Sequence, residues 1–293
     1  MKFNSKWIHK VTRPQWIERD DPKSFFGGEA SALAYEAALA DRREKYPVNT
    51  NKYPNIVRDL EENGFHILKN AIDAETIANL KEEFAKELNK GQNLLEHNQH
   101  FSVIAQPLLH CPTATKLTFS DLALDITSEF FKCTPSVGTF NFRRSYVNSD
   151  SPWKHQLYHV DKNSIKFLKF FIYLNDVKEV GDGPLTLVPD SLHKKFVDWD
   201  DPHRYRRTQE EVEAIYGPGS VKYMLANAGD LVIARTTCFH CGTKPENTDR
   251  TMLTLNYVVH PEEWRDTGFK MKKEDFDNLP ENKKPMTDFL EKV

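Results

Sequence analysis

The chain has 293 residues, a net charge of -3 and an isoelectric point near 6.4, and aromatic residues make up 12% of it. A chain of this length can bury a full hydrophobic core within one domain, and its aromatic content argues against intrinsic disorder. The near-neutral charge excludes a global field that would draw the protein onto nucleic acid or an anionic membrane. We therefore expect a single globular domain over residues 1–293 that binds neither of them.

Sequence features of secreted and membrane proteins are also missing. The segment Met1–Trp16 has scattered charges and no apolar run of the kind that a secretory signal needs. The longest apolar region, Phe167–Leu174, is interrupted by Lys169 and is too short to cross a bilayer. We expect a cytoplasmic protein, because cysteines are too few for a disulfide framework and occur only at Cys111, Cys133, Cys238 and Cys241.

Hydrophobic periodicity divides the chain into a helical first half and a β-rich second half. The predicted parts are an N-terminal extension at 1–54, helical support at 55–135, a barrel core at 136–260 with an insertion at 196–220, and a C-terminal extension at 261–293. In the helical half, Asp73 is a good N-cap and Gly91 a good helix end. The elements predicted there are helices at 29–45, at 55–63 and between Asp73 and Gly91, with a short strand at Phe65–Leu68.

From Thr139 onward the hydrophobic period is two, which is typical of strands with one buried face. Glycine-containing turns such as Gly181–Pro184 and Gly217–Gly219 separate the short strands. This succession indicates an antiparallel barrel or jelly roll. The predicted strands are Thr139–Val147, Lys166–Asn175, Leu185–Pro189, Val221–Met224, Leu231–Thr236 and Thr251–Val259.

The insertion Phe196–Ser220 lies between two predicted barrel strands, and we expect it to cover the barrel mouth. Thr208 and Glu211 form a capping box that opens a helix through Tyr216. The insertion also carries the basic run Arg204–Arg207. This run indicates either a contact to an anionic small-molecule substrate or a solvated lid surface.

His159 and Asp161 stand two positions apart, just before the predicted strand Lys166–Asn175. On an extended backbone, alternate side chains share one face about 6 to 7 Å apart, so an imidazole and a carboxylate can converge on one metal ion. His240 follows the apolar strand that begins at Leu231, and we expect it at the far end of that strand, facing the barrel interior. Two histidines and one carboxylate leave three metal positions open, as non-haem Fe(II) oxygenases require.

Arg250 begins the strand after His240, and we expect a hairpin to connect the two positions. If the keto-acid end of 2-oxoglutarate binds the open metal positions, its far carboxylate needs a buried cation, and a guanidinium binds a carboxylate through two hydrogen bonds. The combined pattern predicts an Fe(II) site at His159, Asp161 and His240, with 2-oxoglutarate and O2 as cosubstrates and Arg250 as the anchor of 2-oxoglutarate.

These residues resemble the phytanoyl-CoA dioxygenase-like family of 2-oxoglutarate oxygenases, from about Asn55 to His260. Further motifs that carry the resemblance are Glu62–Phe65, Asp182–Leu185, Val188–His193 and Gly229–Asp230. The resemblance implies a mainly β fold with flanking helices, built on a double-stranded β-helix, the jelly roll that cupins share. It also implies an aromatic residue near the cosubstrate, which falls at Phe171, and an inward group on the first barrel strand, at Arg143 or Ser145. Of these two, we expect Arg143 to join Arg250 and Phe171 in binding the cosubstrate.

The activity that the resemblance implies is hydroxylation of a small molecule with release of succinate and CO2. Asp161 argues against halogenation, because halogenases that resemble this fold lack the carboxylate. A cupin-type metal-dependent hydrolase or isomerase is one alternative, although it has no need of Arg250. A non-catalytic β-helix binding module is another. A structural zinc site at Cys238 and Cys241 is disfavoured, because the sequence has no second cysteine pair to complete it. The oligomeric state is left open.

Overall fold

The computed structural model describes residues 16–18, 29–161, 164–196, 206–260 and 268–293. The strands are β1 (Trp16–Glu18), β2 (Phe65–Leu68), β3 (Leu94–His97), β4 (Phe101–Ile104), β5 (Ser136–Ser145), β6 (Phe167–Tyr173), β7 (Leu185–Leu187), β8 (Lys194–Phe196), β9 (Lys222–Met224), β10 (Leu231–Ala234), β11 (His240–Gly242), β12 (Arg250–Val258), β13 (Lys270–Met271) and β14 (Glu291–Lys292). The helices are α1 (Glu29–Lys45), α2 (Pro54–Glu62), α3 (Ala74–Lys90), α4 (Pro107–His110), α5 (Pro112–Thr118), α6 (Asp121–Phe131), α7 (Gln209–Tyr216) and α8 (Lys273–Asp277).

Seven strands build a large antiparallel sheet in the order β2-β10-β6-β12-β5-β4-β3. Strand β12 pairs with β6 on one side and with β5 on the other. Successive residues of β12 point to opposite faces, as in any strand. Leu253 and Leu255 therefore enter the core on one face, and Met252 enters a separate core on the other face.

A small sheet in the order β11-β7-β9 faces the large one. Leu187 of β7 and Met224 of β9 share one apolar cluster with Phe171 of β6 and Val232 of β10. The pairing of residue 159 with residue 240 adds the segment before Asp161 to this small sheet. Two antiparallel sheets packed face to face in this way form the predicted double-stranded β-helix.

Helices cover the outer face of the large sheet. Leu80 and Phe84 of α3, Ile126 and Phe130 of α6, and Phe142 of β5 belong to one buried cluster. None of the helices in the described ranges has the length and apolar character needed to span a membrane. One hydrophobic core therefore lies between the helices and the large sheet, and the opposite face of the large sheet is turned toward the small sheet.

Several predicted helix boundaries are confirmed. The helix predicted at 29–45 has those bounds, and the helix predicted at 55–63 spans Pro54–Glu62. Asp73 caps α3 by accepting a hydrogen bond from the backbone N–H of Thr76 at 2.7 Å, and Gly91 ends it in the left-handed region with a φ of 67°. The capping box predicted to open α7 is also present.

The helical support predicted for residues 55–135 is incomplete. Besides the predicted strand at Phe65–Leu68, this part of the chain supplies β3 and β4, which form one edge of the large sheet. All four residues of β4 are buried, and three of them, Phe101, Val103 and Ile104, are apolar. With only four residues, β4 is too short for a period of two to be recognised, so periodicity did not reveal it.

The predicted place of His240 at the end of an apolar strand is wrong. Strand β10 ends at Ala234, and a turn in which the N–H of Cys238 donates to the carbonyl of Arg235 at 3.2 Å separates it from β11. His240 begins β11, which pairs with β7 in the small sheet, whereas Arg250 begins β12 in the large sheet. The predicted hairpin between His240 and Arg250 is therefore wrong as well, because the chain changes sheets between them.

The predicted insertion at 196–220 is tied to the small sheet over much of its length. Residues 197–205, which include part of the basic run, lie outside the described residues. Arg207 and Tyr158 exchange backbone hydrogen bonds of 2.9 and 2.8 Å, and Val212 of α7 is fully buried. The part from residue 206 onward is thus packed beside the segment that leads to His159.

Candidate metal centre

Two histidine rings are held together by their own backbones. The N–H of each of His159 and His240 donates to the carbonyl of the other at 2.9 Å, and the ring centroids are 4.3 Å apart. The Nδ1 atoms lie 2.8 Å from the carbonyl oxygen of Leu157 and 3.1 Å from that of Cys238. A carbonyl oxygen only accepts, so both Nδ1 atoms carry the proton, and both Nε2 lone pairs are available to a metal.

Asp161 is fixed beside these rings by the turn before β11. Its N–H donates to the carbonyl of Thr236 at 3.1 Å, and its Oδ2 accepts a hydrogen bond from Thr236 Oγ1 at 2.7 Å. The same Oδ2 lies 2.5 Å from Lys169 Nζ and 3.2 Å from His240 Nε2. Oδ1 lies 3.7 Å from His159 Nε2, beyond hydrogen-bond distance. Neighbours therefore orient the carboxylate through one oxygen and leave the other facing a histidine.

The local charges keep these groups in the protonation states that a metal ligand needs. Burial alone would raise the pKa of Asp161, but the Lys169 ammonium at 2.5 Å leads the interactions that lower it, so the pKa of this carboxyl lies well below its usual range. Burial, reinforced by His240, lowers the pKa of His159 well below 6.5. The carboxylate is thus charged and the His159 imidazole neutral near neutral pH.

The three ligand atoms lie within 4.8 Å of one another. In the described part of the chain, no other group of histidine, cysteine or carboxylate side chains could hold a metal ion in this way. Two imidazole nitrogens and one carboxylate oxygen form the facial set that suits non-haem iron, whereas a structural zinc site would be closed by four ligands. The donor set therefore fits Fe(II).

The triad opens onto a pocket between the two sheets. Residues of β5, β6, β11 and β12 line it, and so does the segment that carries His155. All six residues predicted for the site line this one pocket: His159, Asp161, His240, Arg250, Phe171 and Arg143. The structure brings them together, and their individual roles stay predictions.

Arg250 is a buried cation at the start of β12. Its residue is 3% exposed, and its Nη1 donates to the carbonyl of Gly183 while its Nη2 donates to Ser145 Oγ at 3.2 Å. Its buried Nε has no hydrogen-bond partner, and no carboxylate pairs with it among the described residues. An isolated buried charge is costly. The guanidinium is thus a buried cation whose charge no described carboxylate neutralises.

Arg143 brings a second guanidinium into the same pocket. Its Cζ lies 4.4 Å from the centroid of the Phe101 ring, and its buried Nε has no hydrogen-bond partner. Burial, together with the positive charge of Arg250, lowers the pKa of Arg143 to about 10, so it stays charged at neutral pH. Two like charges thus share one cavity.

Two residues that orient Asp161 were not predicted from the sequence, and a third residue, His155, lies beside the proposed metal ligands. Lys169 and Thr236 orient Asp161, and the ring of His155 lies 5.5 Å from that of His159. Lys169 had a signal, because a lysine that interrupts the apolar strand at Phe167–Leu174 must be paired or exposed. Thr236 had none, since its role depends on a turn between two sheets.

The fold recurs in solved structures, although no protein-family model matches the sequence and no curated protein is similar to it in sequence. HygX from Streptomyces hygroscopicus, solved with nickel, 2-oxoglutarate and hygromycin B bound, is 12% identical over 74% of this chain and 90% of its own, with a TM-score of 0.50. The epimerase SnoN, in complex with Fe3+, alpha ketoglutarate and nogalamycin RO, is 16% identical over 78% of this chain and 90% of its own, with a TM-score of 0.53. EctD from S. alaskensis with bound Fe is 14% identical over 72% of this chain and 79% of its own, with a TM-score of 0.52.

At these identities the likeness establishes the architecture and nothing finer. Each match extends over at least 72% of this chain, so the likeness is not confined to a single sheet. The chain has the double-stranded β-helix fold that these proteins share, as the sequence predicted.

Proposed function

We propose that the protein is an Fe(II)- and 2-oxoglutarate-dependent dioxygenase of the phytanoyl-CoA dioxygenase-like family that hydroxylates a small molecule. One observation carries the proposal. The convergent ligand atoms of His159, Asp161 and His240 share a pocket with Arg250, a buried cation for which the described residues offer no anionic partner. A metal site and a carboxylate anchor facing the same cavity are what a keto dicarboxylate needs.

Each residue has a definite task in this proposal. His159 and His240 present Nε2 to the metal, and Asp161 presents the oxygen that Lys169 and Thr236 leave unengaged. Arg250 binds the distal carboxylate of 2-oxoglutarate. Iron(II) with 2-oxoglutarate activates O2 for a two-electron oxidation of the substrate, with release of succinate and CO2.

Phe171 supports the placing of the cosubstrate between these two ends. It lies on β6 opposite Thr254 of β12, which is two residues beyond Met252 and four beyond Arg250 on the same face. An aromatic side chain at this position forms part of the pocket wall, and it offers an apolar surface to the methylene groups of a dicarboxylate. The chain thus provides charge at one end of the pocket, ligands at the other and an apolar wall between.

The cofactors of the structural matches support this assignment. HygX and SnoN were solved with 2-oxoglutarate (alpha ketoglutarate) bound, and SnoN and EctD with iron. SnoN is an epimerase, so this fold serves more than one oxidative outcome. We choose hydroxylation over halogenation because Asp161 completes the ligand set, and analysis of the product is needed to separate hydroxylation from epimerisation.

An anaerobic titration tests the reaction class. Protein loaded with Fe(II) should develop a weak visible charge-transfer band when 2-oxoglutarate is added, and should release succinate slowly once O2 enters. His159→Ala and Asp161→Ala should lose both signals. The control is His66→Ala on β2, whose ring binds Asp59 at 2.8 Å and lies outside the pocket lining. An undiminished band in His159→Ala or Asp161→Ala would place the metal elsewhere and refute the proposal.

The hydroxylation itself needs a second measurement. With isotopically heavy O2 and a substrate found by screening metabolites for stimulated succinate release, one heavy oxygen atom should appear in the product. A product without it, formed with full consumption of 2-oxoglutarate, would show another oxidative outcome at the same site.

A further inference from the structure

The pocket holds more positive charge than the proposed cofactors neutralise. Among the residues that line it, Lys169 and Asp161 form an ion pair at 2.5 Å and cancel. A divalent metal ion and doubly charged 2-oxoglutarate also cancel. The guanidinium groups of Arg143 and Arg250 then leave the loaded pocket with two uncompensated positive charges, which is costly at a buried site.

The two guanidinium groups come from neighbouring strands, Arg250 from β12 and Arg143 from β5. Arg250 stands opposite Ser145, and Arg143 stands opposite Met252, so the two arginines are diagonal neighbours on one face of the sheet. Met252 pairs with Arg143 of β5 on one side and with Tyr173 of β6 on the other. The proposed line of 2-oxoglutarate follows β12 and β6, whereas Arg143 lies beyond it on the β5 side.

Among the described residues, Arg143 has no carboxylate partner. Its guanidinium lies against the Phe101 ring and its Nε is buried without a hydrogen bond. The acid whose charge favours it is Glu96, and Glu96 is already bound to Lys154 at 2.8 Å.

The β5 flank nevertheless reaches the metal centre. Arg143 and His155 line the same pocket, and the ring of His155 lies 5.5 Å from that of His159, a proposed metal ligand. A molecule whose anionic group sits on Arg143 would therefore have its adjoining atoms beside the metal. This is the position that the oxidised substrate must take.

We infer that Arg143 binds a carboxylate of the primary substrate, which makes the substrate a small carboxylic acid oxidised close to that group. The inference rests on the proposed function, because it takes the Arg250 end of the pocket to be filled by 2-oxoglutarate. The Nε–H and one Nη–H of a guanidinium form a planar edge that matches the two oxygens of a carboxylate. Arg143 thus selects for substrate charge.

The side-chain Nε–H of Arg143 is a direct reporter of this contact. In nitrogen-15-labelled protein loaded with Zn(II) and saturating 2-oxoglutarate, its resonance is assigned as the one that disappears in Arg143→Gln. Acetate is the probe, and acetamide is its uncharged control. We expect acetate to shift the resonance saturably, and acetamide to leave it in place. Acetate binding to Arg143→Lys is measured from the ligand-induced shifts of neighbouring backbone amides. We expect this binding to be on the order of tenfold weaker, because lysine keeps the positive charge but loses the planar pair of donors.

A matched variant separates charge from position. Arg144 is the next residue of β5, and its Nε donates to Thr251 Oγ1 at 3.0 Å, outside the pocket lining. Arg144→Gln removes the same charge, yet it should leave both acetate and 2-oxoglutarate binding unchanged. Arg143→Gln should lose the acetate response and keep 2-oxoglutarate binding.

The outcomes distinguish this inference from the proposed function. If acetate leaves the Arg143 resonance unmoved while 2-oxoglutarate binds, the inference fails and the proposed function stands. If Arg143→Gln weakens 2-oxoglutarate as strongly as Arg250→Gln does, Arg143 serves the cosubstrate and the inference is again overturned. If 2-oxoglutarate does not bind the metal-loaded protein at all, the proposed function fails, and the inference fails with it.

Discussion

Replacing Arg250 tests the cosubstrate site with a loss of affinity that the structure allows us to estimate. The guanidinium is 3% exposed, and two of its nitrogens are held by Gly183 and Ser145. The remaining donors, including the unpaired Nε, are available to a carboxylate. Loss of such a buried, charge-assisted contact costs about 2 to 4 kcal/mol, or on the order of 30- to 1000-fold in the dissociation constant of 2-oxoglutarate.

Pyruvate separates a lost contact from a damaged fold. It has the keto-acid group of 2-oxoglutarate but no distal carboxylate, so it cannot reach Arg250. In anaerobic titrations of the Fe(II)-loaded protein, Arg250→Gln should therefore weaken 2-oxoglutarate and leave pyruvate almost unchanged. Arg144→Gln is the matched control, since Arg144 is on β5 beside the pocket strand but outside the pocket lining.

Thermal unfolding gives an independent measurement of the same contact. At a 2-oxoglutarate concentration 100 times its dissociation constant, binding stabilises the wild-type protein by about 2.7 kcal/mol. The variant should lose most of this stabilisation at the same concentration. Two results would refute the reasoning: an unchanged affinity for 2-oxoglutarate, or an equal loss of 2-oxoglutarate and pyruvate, which would show that Arg250 maintains the pocket rather than binding the distal carboxylate.

Three further predictions concern groups around the site and in the helical core. Thr236→Val removes the hydrogen bond to Asp161 Oδ2 and should weaken Fe(II) binding by about 10- to 100-fold. Thr237→Val is the control and should leave Fe(II) binding unchanged, because the buried Oγ1 of Thr237 has no hydrogen-bond partner. Equal Fe(II) affinities of the two variants in calorimetry would contradict this prediction. Gly183→Ala should lower the free energy of unfolding by about 1 to 3 kcal/mol and weaken the binding of 2-oxoglutarate. The reason is that the φ of Gly183 is 74° and a Cβ there would lie 2.8 Å from the carbonyl oxygen of Thr243. Urea unfolding measures the first of these effects. Burial raises the pKa of Cys111 to about 12, so in the folded protein its thiol keeps a proton that the unfolded chain loses near pH 9. The free energy of unfolding should therefore decrease as the pH rises from about 9 to 12. Urea unfolding of Cys111→Ala should show a smaller decrease over the same pH range.

Local rules predicted the parts of the fold that depend on neighbouring residues. The caps at Asp73 and Gly91 fixed α3, and the period of two located most of β5, β6 and β12. Each of these signals is local, since a cap spans one turn and an alternation spans one strand. The candidate site followed from them because the strand order of the fold brings the ends of separate strands to one pocket.

Other parts depend on contacts that a local pattern does not contain. The three-residue strand that begins at His240 is shorter than any useful period, and its place in the small sheet is set by pairing with β7. Strand β4 is buried on both faces, so its residues look like any short apolar run. The roles of Thr236 and Lys169 depend on where the turn after β10 meets Asp161.

The alternation of β12 explains why one strand serves both the core and the pocket. Arg250, Met252 and Thr254 face the pocket, while Leu253 and Leu255 pack beneath the helices. A shift of one residue would exchange the two sets and place a guanidinium in the helical core, which is strongly unfavourable. The same packing that stabilises the large sheet therefore fixes the register of Arg250. The metal ligands, by contrast, lie on short segments joined by an isolated pair of backbone hydrogen bonds, so in the described residues their geometry depends on Lys169 and Thr236 as well as on the sheets.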